Sequence, residues 1–94
     1  MSVYFINSKK FDTATAKNLY NNGMFSSRGA DYYQTKSGVF VRVNWTQWQG
    51  EHTYAETISK EDFIAEMMNS EHPVRAMIAL ANAGINIDQE IEAL

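Results

Sequence analysis

The stretch DYYQTKSGVFVRVNW, residues 31–45, constrains the fold more than any other part of the chain. Two runs of β-branched and aromatic residues flank a three-residue connection, and Gly38 stands where a bulged hairpin turn needs a left-handed residue. Because side chains alternate along a strand, Val39, Val41, Val43 and Trp45 share one face, which we expect to belong to the core. The chain is therefore predicted to contain an antiparallel sheet.

The segments on either side of this hairpin add strands to the prediction. SVYFI, residues 2–6, is rich in β-branched and aromatic residues and is followed by the turn-type residues NSKK. Residues 9–11 then form either a second short strand or an extended lead into a helix. TYAETI, residues 53–58, is a further strand candidate that pairs with the hairpin.

FDTATA, residues 11–16, predicts the start of an N-terminal helix. Asp12 is a good N-cap residue because its carboxylate accepts from backbone N–H groups and its charge favours a helix N-terminus. Phe11 and Ala16 stand at the two positions of a hydrophobic staple. The predicted helix runs over about residues 13–22 and stops at Gly23.

The C-terminal half has three further helix starts. Ser59 is a predicted N-cap before an apolar stripe at helical spacing, and Pro73 suits the first position of a second helix that ends at Gly84. Asn86 caps a short last helix. The expected fold is a single α+β domain over residues 1–94. It consists of a small antiparallel sheet of three or four strands, one N-terminal helix and two or three C-terminal helices.

Charge is distributed unevenly along the chain, although its sum is only −3. Residues 1–50 carry six basic against two acidic residues, a net of +4, and residues 51–94 carry two basic against nine acidic residues, a net of −7. If the halves form separate faces, the C-terminal face suits a basic partner and the N-terminal face an acidic one. Alternatively, the acidic helices pair with the basic sheet of the same domain.

The residue types give no support for an enzyme or a metal site. The chain has no cysteine, and His52 and His72 lie far apart without a zinc-binding pattern. The five glycines are spread along the chain rather than clustered in a phosphate-binding loop, and no serine lies in a GxSxG pattern. We therefore expect a protein that is not an enzyme and that uses no cofactor and no metal. The short apolar runs predict no membrane contact, and the N-terminus lacks the pattern of a signal peptide, so we expect a cytoplasmic protein.

Two features of the second half predict binding to a partner. Trp48 lies in the polar stretch NWTQWQGEH, where an exposed indole makes a good interface anchor. A series of acidic residues follows, which can imitate the phosphate spacing of a nucleic acid. The candidate partner-binding residues are Trp48, Glu51, Glu56, Glu61, Asp62 and Glu66.

Three segments also resemble, in order and spacing, a group of small proteins of bacteria, plasmids and phages. They are FDTATAKNL, YYQTKSGVFVRV and TISKEDFIAEM, which are similar to the YDTxTA-like, YxxxxGxYF-like and LSxExA-like motifs of that group. The resemblance covers roughly residues 3–68. It implies an accessory gene of a mobile element, a setting in which inhibitors of host immunity such as anti-CRISPR proteins are common.

The leading hypothesis is therefore a non-catalytic, anti-CRISPR-like inhibitor that binds a host defence protein or ribonucleoprotein in the bacterial cytoplasm. One alternative is a small nucleic-acid-binding regulator that uses Lys9, Lys10, Arg28, Arg42 and Tyr33, although direct nucleic-acid binding is not expected at a pI near 5.2. Another is a ligand-sequestering homo-oligomer whose Met and Ile stripes are buried between subunits.

Overall fold

The computed structural model describes residues 2–22, 28–48, 50 and 52–91. Within these ranges it is a small α+β fold with a two-stranded and a four-stranded antiparallel sheet and three short helices. The two-stranded sheet pairs β1 with β2, and the four-stranded sheet has the order β3-β4-β5-β6. The elements are β1 (Val3–Ile6), β2 (Lys9–Asp12), β3 (Lys17–Asn22), β4 (Arg28–Gln34), β5 (Phe40–Thr46), β6 (Tyr54–Ile58), α1 (Lys60–Met68), α2 (Pro73–Asn82) and α3 (Ile87–Glu90).

The predicted architecture, a single sheet of three or four strands with an N-terminal helix, is wrong. Asp12 does accept a hydrogen bond from the N–H of Ala14 at 2.9 Å, but it closes a turn rather than capping a helix. The chain then enters β3, in which the neighbours Leu19 and Tyr20 are both buried. The pairing of β3 with β4 shifts register between Asn18 and Tyr20. This bulge lets two consecutive apolar residues reach the core. Side chains whose spacing suggests a helix are therefore buried by a strand.

The central hairpin is confirmed. β4 pairs with β5 over seven residue pairs, and Gly38 in the connecting turn has a φ of 91°. β6 pairs with the other side of β5, so the predicted strand at TYAETI is also confirmed. Val41 and Val43 are buried, whereas Val39 lies before β5 and is 43% exposed.

Both faces of the four-stranded sheet are covered. On one face the β1–β2 hairpin places Phe11 against Val41 and Val43, with Tyr4 and Ile6 packed around them. On the other face lie the helices, and their side chains form the larger core cluster with those of the sheet. That cluster contains Leu19, Tyr20, Tyr32, Phe40, Phe63, Met67, Ala76, Ala79, Leu80 and Ile85. The molecule thus has three layers: hairpin, sheet and helices.

The helix boundaries follow the capping residues that the sequence predicts. Ser59 accepts a hydrogen bond from the N–H of Asp62 at 3.0 Å, and Asn86 accepts one from the N–H of Asp88 at 3.1 Å. Pro73 is the first residue of α2. None of the helices in the described ranges is long and apolar enough to cross a membrane.

Candidate functional site

A row of polar side chains crosses the sheet on its helix-facing side. Tyr32, Arg42 and Glu56 are direct cross-strand neighbours on β4, β5 and β6. The Arg42 guanidinium pairs with Glu56 at 3.1 Å and with Glu66, which reaches down from α1. The Tyr32 hydroxyl donates to Glu66 Oε1 at 2.7 Å, and Asn44 Nδ2 donates to Glu56 Oε2 at 2.7 Å. These five residues form what we call the Arg42 network.

The electrostatics of the Arg42 network favour one charge state. Burial raises the pKa of the Tyr32 hydroxyl, and its hydrogen bond to Glu66 raises that pKa further. For Arg42, burial lowers the pKa, but the hydrogen bonds to Glu66 and Glu56 outweigh burial and raise it overall. The guanidinium therefore stays charged and pairs with two acids of the same chain. Glu56 and Glu66, both predicted to bind a partner, are engaged within the chain.

The remaining predicted site residues do not form one continuous surface. Glu61 and Asp62 are exposed on the first turn of α1, and Trp48 is 56% exposed beyond the end of β5. α1 follows Ile58, which pairs with Phe40 at the opposite end of β5. Since seven strand residues span roughly 20 Å, Trp48 lies far from the first turn of α1. Glu51 lies outside the described residues.

The residues of the nucleic-acid hypothesis are also dispersed. Tyr33 packs edge-on against Phe11 in the core between the sheet and the β1–β2 hairpin, with ring centroids 5.7 Å apart. Arg42 is held in its network on the opposite face of the sheet, and the Arg28 guanidinium lies 5.8 Å from the centroid of the Trp48 ring. These side chains therefore do not share a stacking platform.

Exposed acids of the second half and two lysines of the first half lie on opposite sides of the sheet. The helix layer exposes Glu61, Asp62 and Glu71, whereas the hairpin on the other side carries Lys9 and Lys10. One helix acid does pair with the basic sheet, since Glu66 of α1 contacts Arg42 of β5, whereas Lys60 and Glu90, 2.8 Å apart, join two helices of the second half. Both interpretations of the charge asymmetry therefore describe part of the molecule.

An exposed apolar stripe on α2 is a surface feature to which the sequence interpretation assigned no particular residues. Val74, Met77 and Ile78 are 70%, 53% and 55% exposed. They stand at i, i+3 and i+4 and so are neighbours on one helix face. The opposite face of α2 is buried in the core. Because α2 is apolar on both faces, hydrophobic spacing alone did not indicate which face stays uncovered; we call the exposed one the α2 stripe.

The described residues contain no group of three or more His, Asp or Glu side chains placed to hold a metal ion. His52 and His72 are both exposed. Comparisons with protein-family models, with curated proteins and with solved structures find no match to this chain.

Proposed function

We propose that this chain is a small non-catalytic interaction protein that inhibits a bacterial defence complex, in the manner of an anti-CRISPR protein. The observation that carries the proposal is the α2 stripe. Three large apolar side chains on adjacent turns of one helix remain more than half exposed. Contiguous exposed apolar surface of this kind is typical of a protein-binding site.

The exposed acids of the helix layer support the choice of partner. Glu61 and Asp62 lie on the outer surface of α1, which packs beside α2. RNA-guided defence complexes hold nucleic acid in positively charged channels. An acidic surface is complementary to such a channel and speeds encounter with it. The resemblance to mobile-element proteins supports the same partner class.

Stable binding to a partner requires contacts from both the α2 stripe and the exposed acids. The exposed fractions of the three stripe residues add up to about 1.8 fully exposed side chains. Burying this surface contributes about 3–5 kcal/mol to binding. Association costs about 4–15 kcal/mol in lost translational and rotational freedom. The stripe alone therefore falls short of stable binding, and we expect the acids and the rim around them to contribute the rest.

The test measures phage plating on a host with an active CRISPR system. Expression of the wild-type chain should raise plating, and the variant V74Q/M77Q should lose this effect because it removes apolar contact area, while glutamine is a good helix former at both positions. The control is V3S/F5S, which removes two exposed apolar residues from the hairpin side of the sheet. This control should inhibit as well as the wild type.

The role of the acids has its own matched pair of variants. E61Q/D62N removes two negative charges from α1 and should weaken inhibition, more strongly at low salt in a binding assay. S37K/T57K changes the net charge by the same amount, at exposed positions on the side of the sheet that carries the β1–β2 hairpin. This variant should not weaken inhibition. Equal effects of the two variants would show that only net charge matters. Failure of the wild type to raise plating against any defence system tested contradicts the proposal.

Self-association is the second candidate, and one further observation favours it. Lys17 Nζ lies 2.8 Å from the carbonyl oxygen of Asn82 at the C-terminal end of α2, while Glu71 precedes its N-terminus. Two copies of α2 packed antiparallel through their stripes would bring these opposite charges together. Light scattering during gel filtration should then show a dimer that M77Q dissociates. A monomer at every concentration excludes this homo-oligomer.

A further inference from the structure

A cleft of about 610 Å³ lies between two turns on the hairpin side of the sheet. One turn joins β1 to β2, and the other joins β4 to β5. Lys9, Lys10 and Lys36 line the cleft, and so do the apolar residues Ile6 and Val39, of which Val39 is 43% exposed. We call this feature the lysine cleft. Its volume falls within the range of small-molecule sites, about 300–1,000 Å³.

Both turns that form the cleft are held in defined conformations. Asn7 and Ser8 adopt left-handed φ values of 50° and 65°, which match a tight two-residue hairpin turn. In the second turn the N–H of Thr35 donates to the carbonyl of Val39, and the N–H of Gly38 donates to that of Thr35, both at 2.9 Å. The backbone that carries the three lysines is therefore positioned before any ligand arrives.

The cleft carries a net positive charge. Within the described part of the chain, none of Lys9, Lys10 and Lys36 forms an ion pair. One carboxylate, Asp12, also lines the cleft, and its Oδ1 accepts from the N–H of Ala14 at 2.9 Å. Three lysines and one aspartate line the cleft, and this excess of positive charge attracts an anion.

The second turn also offers a hydroxyl donor. Thr35 Oγ1 and Ser37 Oγ lie 3.0 Å apart, and Thr35 Oγ1 accepts from the N–H of Val39 at 3.1 Å. Only one of the two hydroxyls donates to the other, so the one that accepts keeps its own hydrogen for another partner. Both residues line the cleft beside Lys36. A phosphate oxygen in the cleft can therefore receive a hydroxyl hydrogen bond as well as ammonium contacts.

We propose that the lysine cleft binds a small organic phosphate, with the phosphate at the lysines and the apolar part of the ligand against Ile6 and Val39. Lysine binds phosphate as a point charge, and three lysines line the cleft. The site does not depend on the proposed protein-binding function. The lysine cleft lies on the hairpin side of the sheet, and the α2 stripe lies on the helix side.

The test is calorimetric titration of the full chain with ATP at low salt. We expect saturable binding of one ATP per chain, weakened by added salt. K10Q/K36Q should weaken binding by about tenfold or more, because each ammonium–phosphate contact is a charge-assisted hydrogen bond. K10R/K36R keeps both charges and should retain most of the affinity. K60Q, which changes a lysine of the helix layer, should bind as the wild type does.

Several results would overturn the proposal. One is the absence of saturable ATP binding, and another is equal ATP binding by K10Q/K36Q and the wild type. A third is equal affinity for inorganic phosphate and ATP, since the apolar lining of the cleft would then contribute nothing to binding. Tighter binding of a random single-stranded oligonucleotide than of ATP would assign the lysines to nucleic acid instead. Circular dichroism and the thermal midpoint of each variant confirm that it is folded, and we expect both to match the wild type because these lysines are exposed.

Discussion

Replacing Glu66 by glutamine separates a structural role from the partner-binding role that the sequence predicts for this residue. Glutamine has nearly the same shape and keeps an oxygen that accepts from the Tyr32 hydroxyl. It loses the negative charge that faces the Arg42 guanidinium. The substitution therefore leaves packing intact and removes the ionic part of the Arg42 network.

The expected cost follows from how far the pair is buried. The side chains of Arg42 and Glu66 are 26% and 28% exposed, between a surface pair and a buried one. Surface pairs contribute about 0–1 kcal/mol, and breaking a buried pair costs about 3–5 kcal/mol. We expect E66Q to lower the free energy of unfolding by about 2 kcal/mol, which lowers the melting midpoint of a domain of this size by about 8–16 °C.

Glu61 provides a matched control on the same helix. E61Q makes the same chemical change at an exposed position in the first turn of α1, where it removes only a favourable interaction with the helix dipole of about 0.3–1 kcal/mol. Thermal and urea unfolding near neutral pH, followed by circular dichroism, should rank wild type above E61Q and E61Q well above E66Q. A double-mutant cycle of E66Q with R42M measures the coupling directly.

Two results would refute this account of the network. If E66Q and E61Q unfold at the same midpoint, the pair with Arg42 contributes no more than surface charge. If the effects of E66Q and R42M add without coupling, the two side chains do not act on each other. Either result would return Glu66 to the set of residues available for a partner.

Three further substitutions test other contacts of the sheet. In G29A the new Cβ would lie 2.1 Å from a backbone oxygen of the neighbouring strand and 2.5 Å from the Trp45 ring, so urea unfolding should show a loss of about 1–3 kcal/mol or more. Because burial raises the pKa of Tyr32 in the folded state, the wild type should lose stability as pH rises above about 10, and Y32F should lose less on alkaline titration. Burial likewise raises the pKa of Asp31 above 3.8; the stability from this group is fully present below that value and falls as pH rises through the folded-state pKa. D31N keeps an oxygen for the Trp45 indole and should be more stable than the wild type near neutral pH in urea unfolding.

Local chemistry explains the parts of the fold that the sequence predicts well. Ser59, Pro73 and Asn86 set the starts of the helices, and Gly38 permits the central turn, because each acts through its own backbone or side chain. The prediction of an N-terminal helix was wrong for a different reason. The polar and apolar pattern of residues 13–22 is compatible with a helix, but pairing with β4 and a bulge before Tyr20 bury the same side chains in a strand.

The candidate site depended more strongly on tertiary structure. Trp48, Glu61 and Asp62 are exposed as the sequence predicts, yet β5 holds the tryptophan far from the two acids. Glu66 is chemically the same kind of residue as Glu61, but it faces Arg42 because of where α1 crosses the sheet. The identity of a side chain does not show whether the tertiary structure places an opposite charge beside it.

The sequence by itself determined the central hairpin, the third strand beside it, the starts of the three C-terminal helices and the separation of charge along the chain. These depend on backbone preferences and on residues close together in the chain. Only the tertiary structure decided which acids pair with Arg42, which face of α2 stays exposed, and that lysines from β2 and from the β4–β5 turn line one cleft. Each of these depends on contacts between distant segments, whose free energy no local pattern records.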